Sequence, residues 1–173
     1  MCGIAGIISP QARIDAERLP SMLNAIQHRG PDDHGTWQSE AGDVVLGHCR
    51  LSILDLTASG HQPMFSSDGR TVLVFNGEIY NYRELKERFF SGDDSFHSTG
   101  DTELLLRMWE RFGEDCLGYL RGMFAFAVLD QQTQELVLAR DPCGIKPLYY
   151  AKSGNEFIFA SELKAFKALN PKW

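Results

Sequence analysis

The chain has 173 residues, with 17 Lys+Arg against 23 Asp+Glu, a formal net charge of −6, and 43% hydrophobic and 23% charged residues. That is the make-up of one globular domain with a core of its own, so disorder and collagen-like repeats are excluded, and a two-substrate synthetase does not fit in the length. No apolar run approaches the roughly 18 residues of a membrane helix. The acidic balance argues against partners that want a basic face, so neither nucleic acid nor an anionic membrane is expected.

The opening MCGIAGIISP has no positive charge before Arg13, and its apolar stretch ends at Pro10 without a small-residue cleavage site. It reads as a strand of the mature protein rather than a targeting signal. Cys2, Cys49, Cys116 and Cys143 are far apart and form no CxxC pair, so reduced thiols and a cytoplasmic location are expected. A metal site from His48, Cys49 and His61 is disfavoured because neighbours on a strand point to opposite faces, and no metal is expected.

In chain order, 3–9 reads as a strand. Leu19, Met22, Leu23 and Ile26 then recur at helical spacing within 16–27, with Pro20 near the start. The segment HRGPDDHG, 28–35, reads as a polar loop punctuated by Gly30-Pro31. Strands follow over 36–38, 43–53 and 71–80. Helices are expected over 82–89 and 101–112, the second capped by Asp101 and striped by Leu105, Met108 and Phe112. Short strands over 123–130, 135–140, 148–152 and 156–160 precede a last helix near Ser161. Hairpin-like strands without a βαβ rhythm point to antiparallel sheets in an α+β arrangement.

Three features could carry chemistry, and each has a plain structural reading as well. Cys2 would become the first residue on removal of Met1, placing a thiol and an α-amine in one unit. An α-amine titrates near 7.7–8.0, so it can act as the base for its own thiol. By position alone, Cys2 reads as a small hydrophobe at a strand end. Asn76-Gly77 reads either as a tight hairpin turn or as an oxyanion hole built from the Asn76 amide and the Gly77 N–H. Arg50 is suited to a fork-like grip on a carboxylate, and Asp101 with Glu78 to an α-ammonium, although a surface Arg and a capping Asp are ordinary. The loop SGDDS at 91–95 lacks the second Gly and the spacing of an SGGxDS pyrophosphate loop and reads as a solvated loop. The run at 123–126 reads as a buried strand.

The blocks MCGIAGI, HRGPDD, GHCRLSILDL, FNGEIYNYREL, RGMFAFAVLD, RDPCGIKPLYY and FASELKA run in this order along nearly the whole chain. They resemble the N-terminal glutaminase domain of glutamine-hydrolysing asparagine synthetases, which are class II glutamine amidotransferases. The resemblance implies an N-terminal-nucleophile hydrolase fold, a four-layer αββα sandwich of two antiparallel sheets. It also implies Cys2 as nucleophile, Asn76 and Gly77 as oxyanion hole, and Arg50 with the backbone of Leu51, Ser52, Ile53 and Leu54 around the glutamine carboxylate. Glu78 and Asp101 would hold the amine. Relatives that make phosphoribosylamine or glucosamine phosphate carry blocks closer to RGYDS and HTRWATHG, which favours the asparagine-synthetase branch.

The reaction so implied is hydrolysis of the L-glutamine side-chain amide through a glutamyl thioester, with no cofactor for that step. Ammonia would pass to a synthetase domain or subunit, where ATP and Mg are expected. Residues 1–173 are expected to be the glutaminase domain without that synthetase domain, as an excised piece or as a short protein serving a separate partner. Two other functions compete. One is an N-terminal-nucleophile acylase or peptidase acting on another amide; the other is a non-catalytic domain that binds glutamine and regulates.

Overall fold

The computed structural model describes residues 1–169; the last four of the expected 1–173 domain lie outside the described residues. Nine strands and four helices follow one another: β1 (Gly3–Ile8), α1 (Arg18–Ile26), β2 (Asp33–Gln38), β3 (Val44–Arg50), β4 (Met64–Phe65), β5 (Thr71–Ile79), α2 (Tyr82–Phe90), α3 (Asp101–Phe112), β6 (Gly122–Asp130), β7 (Glu135–Arg140), β8 (Tyr149–Ser153), β9 (Glu156–Ala160) and α4 (Leu163–Lys167). They make two antiparallel sheets, one in the order β2-β3-β1-β9-β8 and the other β4-β5-β6-β7.

The alternation of residues along each strand divides the core into three layers. Ala5 and Ile7 of β1 and Val45 and Cys49 of β3 pack with Leu19, Met22, Leu23 and Ile26 of α1 and Ala165 of α4. Ile4, Val44 and Leu46 face the other way and meet Val72, Val74, Ala127 and Leu129 of the second sheet. Leu73, Phe75, Phe124, Phe126 and Val128 turn outward against Leu104, Leu105 and Met108 of α3. Helix, sheet, sheet and helix are thus stacked as the expected four-layer α+β sandwich.

The inner layer is dense. At Gly6, an added Cβ would lie 2.3 Å from the Phe159 ring, so that position must be glycine for the two strands to pack as they do.

Four sequence expectations need correction. Asn76-Gly77 is not a turn. Both residues lie inside the nine-residue β5, opposite Ala125 and Phe124 of β6, because the flanking β-formers pair continuously with that strand. β3 stops at Arg50 rather than running to residue 53, where the side chain of Arg50 takes up the carbonyls of the loop that follows. In 28–35 only the middle is loop: a short 3-10 turn spans Gln27–Arg29, and β2 already begins at Asp33, which pairs with Arg50. Asp101 is the first residue of α3 rather than its cap, that place being held by Gly100.

Candidate active site

The N-terminus is tied at three points. Ser161 Oγ accepts the amide of Ile4 at 3.0 Å, and the Ser161 amide donates to the Ile4 carbonyl at 2.9 Å. Arg29 Nε donates to the Cys2 carbonyl at 2.8 Å, while Arg29 Nη1 pairs with Glu162 at 2.8 Å. Burial would raise the Glu162 carboxyl, but hydrogen bonds from Arg29 and Lys164 hold it down to about 2, so this clamp persists through the neutral range. The clamp presents Cys2 at the end of the inner layer, on the same side as Ile4. Its Sγ donates to the Leu51 carbonyl at 3.6 Å and accepts the Leu51 amide at 3.4 Å. Burial pushes the Cys2 thiol up, opposed by the Leu51 amide, the chain's amino terminus, Lys146 and Arg50.

Cys2 opens into a narrow cavity of about 60 Å³ lined also by Arg50, Ile53, Leu54, Gly77, Glu78 and Asp101. One cation and three carboxylates, Asp55, Glu78 and Asp101, therefore share a small space with a thiol, and Asp55 is turned to the loop rather than to a ligand. Arg50 is buried and donates through Nη1 to the Thr57 carbonyl at 2.8 Å and through Nη2 to the Asp55 carbonyl. Gly60 makes this grip possible, since a Cβ there would lie 2.1 Å from Nη2.

Asp55 fastens the loop in turn, accepting from Thr57 N at 2.8 Å, Thr57 Oγ1 at 2.6 Å and Ser98 Oγ at 2.7 Å. The Thr57 hydroxyl, then the Ser98 hydroxyl and the Thr57 and Thr99 amides, outweigh burial and hold Asp55 well below the usual carboxylate range. Asp101 Oδ2 accepts the Ile79 amide at 2.8 Å, tying α3 to β5 beside the cavity. Burial raises the Asp101 carboxyl to about 6, and the neighbouring Glu78 adds to the rise.

Asn76 lies on the face of β5 that Val72 and Val74 turn towards the first sheet; it is not among the residues lining the Cys2 cavity, but its neighbours Phe75 and Gly77 are. It is fully buried, and neither its Oδ1 nor its Nδ2 has a hydrogen-bond partner among the described residues. A buried amide with both ends unused costs stability, so it marks a place held for something other than the fold. From β3 in the facing sheet, His48 Nε2 donates to the Phe75 carbonyl at 3.1 Å. Burial pushes its pKa down to about 3, which keeps a neutral bridge between the sheets next to Asn76.

Most of the residues singled out in the sequence thus meet around one cavity. Ser52 does not: its amide is held by Asp32 Oδ2 at 2.8 Å, and it lines a neighbouring surface pocket with Asp32, Asp33 and His61. Leu51 meets the thiol itself, through both its amide and its carbonyl. Cys49 points to α1, donating to the Leu23 carbonyl at 3.6 Å, away from His48. Sequence reasoning missed Arg29, Asp55, Ser98 and Gln62, a cavity-lining residue whose Oε1 accepts the Phe75 amide at 2.6 Å. Arg29 stands in the HRGPDD block and Asp55 in GHCRLSILDL, so the signal was present without a role attached. Gln62 and Ser98 gave none. A larger apolar groove of about 570 Å³, between β7 and the β8–β9 edge, carries no nucleophile.

Residues 1–172 match the family model described as a glutamine amidotransferase domain. The chain belongs to that family. It is 42% identical over 99% of its length to a putative glutamine-hydrolysing asparagine synthetase 2 of Methanocaldococcus jannaschii, covering 36% of that protein. It is 38% identical over 97% of its length to glutamine-hydrolysing asparagine synthetase 3 of Bacillus subtilis, covering 28%. The chain therefore spans about a third of the length of these relatives. Among solved structures, the glutamine phosphoribosylpyrophosphate amidotransferase of B. subtilis superposes with a TM-score of 0.83 at 24% identity, over 98% of this chain and 44% of that one. That likeness establishes the fold of this amidotransferase domain, the four-layer sandwich described above. No helix among the described residues is long and apolar enough to cross a membrane.

Proposed function

We propose that this amidotransferase domain hydrolyses the side-chain amide of L-glutamine, with Cys2 as nucleophile once Met1 is removed. The observation that carries the reading is the cavity itself: a thiol, a guanidinium and the carboxylates of Glu78 and Asp101, which the loop-fastening Asp55 accompanies, share it, beside a buried amide with no partner among the described residues. Free glutamine presents the complementary groups, a carboxylate for Arg50, an ammonium for Glu78 and Asp101, and an amide carbonyl for the thiol.

The α-amine of Cys2 takes the thiol proton, and the sulfur attacks the amide carbon. Negative charge gathers on the carbonyl oxygen, where the Asn76 amide and the Gly77 N–H donate to it. The carbon–nitrogen bond then breaks as the amine returns its proton to the departing ammonia, leaving a γ-glutamyl thioester. Water, deprotonated by the same amine, attacks the thioester and releases glutamate and the thiol. These steps use only groups of this chain.

The ammonia acceptor is proposed to be a synthetase domain or subunit, with aspartate as the first candidate, since the relatives quoted above are named asparagine synthetases. ATP and Mg are proposed to act only in that unit. A reducing, cytoplasmic setting suits a nucleophile that must stay a thiol, and all four cysteines are unpaired.

The test is glutamate release from free glutamine by the wild type and by Cys2→Ala, with and without the acceptor unit. The reading expects release by the wild type, none by the variant, and an unchanged melting temperature. Release retained by Cys2→Ala overturns it. Equal turnover of N-acylated or C-amidated glutamine would reassign the site to a broader acylase.

A further inference from the structure

The short β4 pairs with β5 only at Val72 and Leu73. Past that point the same edge of β5 continues, and alternate residues turn their backbone groups out along it, away from β6. The Phe75 amide donates there to Gln62 Oε1 at 2.6 Å, and the Ile79 amide to Asp101 Oδ2 at 2.8 Å. Gly77 faces this edge between them, because Phe124, opposite it on β6, has its amide and its carbonyl both taken by Asp141. Gln62 and Asp101 thus bracket the proposed oxyanion donor, each bound about 6.7 Å along the strand from it.

Asp101 has a role in the proposed reaction and Gln62 has none. The Gln62 carbonyl lies against β2 where a Cβ on Gly35 would collide with it, and the side chain crosses to β5, so the residue bridges the two sheets. It is only 4% exposed and lines the Cys2 cavity with Arg50 and Gly77. The bond from the Phe75 amide fixes which end of the carboxamide is oxygen. The other end, Nε2, makes no hydrogen bond among the described residues. It is not sealed inside the protein as the Asn76 amide is, so the space it meets is the cavity.

A donor turned into this cavity needs an acceptor from the ligand. Glutamine brings two. Its side-chain amide oxygen already has the Asn76 amide and the Gly77 N–H, whereas its α-carboxylate has Arg50 alone. Arg50 gives hydrogens of Nη1 and Nη2 to the Thr57 and Asp55 carbonyls, so its fork leaves some of the carboxylate's roughly four lone-pair sites unfilled. Gly60, packed on Arg50 Nη2, stands two residues before Gln62, which places the carboxamide on the guanidinium's side of the cavity.

We infer that Gln62 is a further substrate-binding residue, whose Nε2 donates to the α-carboxylate of glutamine beside Arg50. This rests on the reading of the cavity as a glutamine site.

The experiment is titration calorimetry of L-glutamine and of C-amidated glutamine on the Met1-free Cys2→Ala chain, which binds without turnover. Gln62 is compared with Gln62→Met, which removes the donor without adding charge, and with Gln62→Glu, which still accepts the Phe75 amide but offers the ligand an acceptor. Kd for glutamine should rise at least about tenfold in both. Gln62→Glu should leave the affinity for C-amidated glutamine unchanged or raise it, since an amide can donate to the new carboxylate. With Cys2 intact, KM for glutamine should rise in Gln62→Glu while kcat stays within about threefold. Should Gln62→Met fail to fold for want of a partner at Phe75, Gln62→Glu decides alone. A glutamine Kd unmoved in Gln62→Glu, an equal loss for C-amidated glutamine, or a fall in kcat with KM unmoved overturns the inference. Glutamine that binds the Cys2→Ala chain but is not hydrolysed when Cys2 is present would count against the glutaminase reading alone, and the calorimetric comparison would still decide the role of Gln62.

Discussion

The side chain of Asn76 separates the requirements of the fold from those of the proposed reaction, which makes Asn76→Ala the most instructive substitution. The residue is fully buried in β5, yet its amide makes no hydrogen bond among the described residues. An ordinary buried asparagine loses paired hydrogen bonds on truncation and destabilises the protein. Here the fold loses no such bond. Each buried polar group without a partner costs about 1–3 kcal/mol, so truncation relieves a penalty that offsets the lost packing. In a domain of this size 1 kcal/mol corresponds to about 2–4 °C, and the melting temperature should stay within about 4 °C of wild type or rise. Catalysis should behave in the opposite way. Loss of one oxyanion donor removes about 2.7–4 kcal/mol of transition-state stabilisation, so kcat for glutamate release should fall about 10²–10³-fold with KM little changed. Steady-state glutaminase kinetics and differential scanning calorimetry on the same preparation decide it. A kcat loss below about tenfold, or a melting temperature that falls by much more than 4 °C, refutes the assignment.

Further substitutions address the rest of the site and the core. Gly60→Ala would bring a Cβ to 2.1 Å from Arg50 Nη2, displacing a guanidinium that two carbonyls hold, and KM for glutamine should rise at least about tenfold with little change in melting temperature. Asp101, raised to about 6, binds an ammonium only when ionised, so KM should climb as pH falls below about 6, and Asp101→Asn should abolish that limb while raising KM at neutral pH. The same carboxyl has a folded value above its ordinary 3.8. Its burial therefore favours the fold at low pH and costs stability as pH rises from about 4 through 6, a dependence that calorimetry should find missing in Asp101→Asn. Gly6→Ala would overpack the inner layer against Phe159 and should cost about 1–3 kcal/mol in urea unfolding.

The helices and the sheet order show what the sequence can and cannot convey. The apolar stripe of α3 and the boundaries of β9 were legible because periodicity and flanking polar residues act locally. At Asn76-Gly77 a turn reading stood beside the strand expected over 71–80, and the strand forms, because the local preference for a turn yields to continuous pairing with β6, a contact about fifty residues away. The loop from 51 to 61 was illegible: it is shaped by Arg50 reaching for carbonyls and by Asp55 collecting Ser98 and Thr99 from a distant segment. For the same reason Ser52, grouped by sequence with Leu51 and Ile53, ends in a different pocket. Cys2, Arg50 and Glu78 could be named from the ordered motif blocks and Asp101 from its place at the start of a helix, whereas their meeting in one cavity depends on the two sheets facing each other.

The central claim is that Cys2 is an N-terminal nucleophile in a glutamine-shaped site, and an intact mass spectrum before and after incubation with a diazo-ketone analogue of glutamine tests it most directly. The account predicts a chain lacking Met1 that gains a single adduct, mapped to Cys2 and blocked by excess glutamine. Retention of Met1, or a processed chain that takes no label, would contradict it.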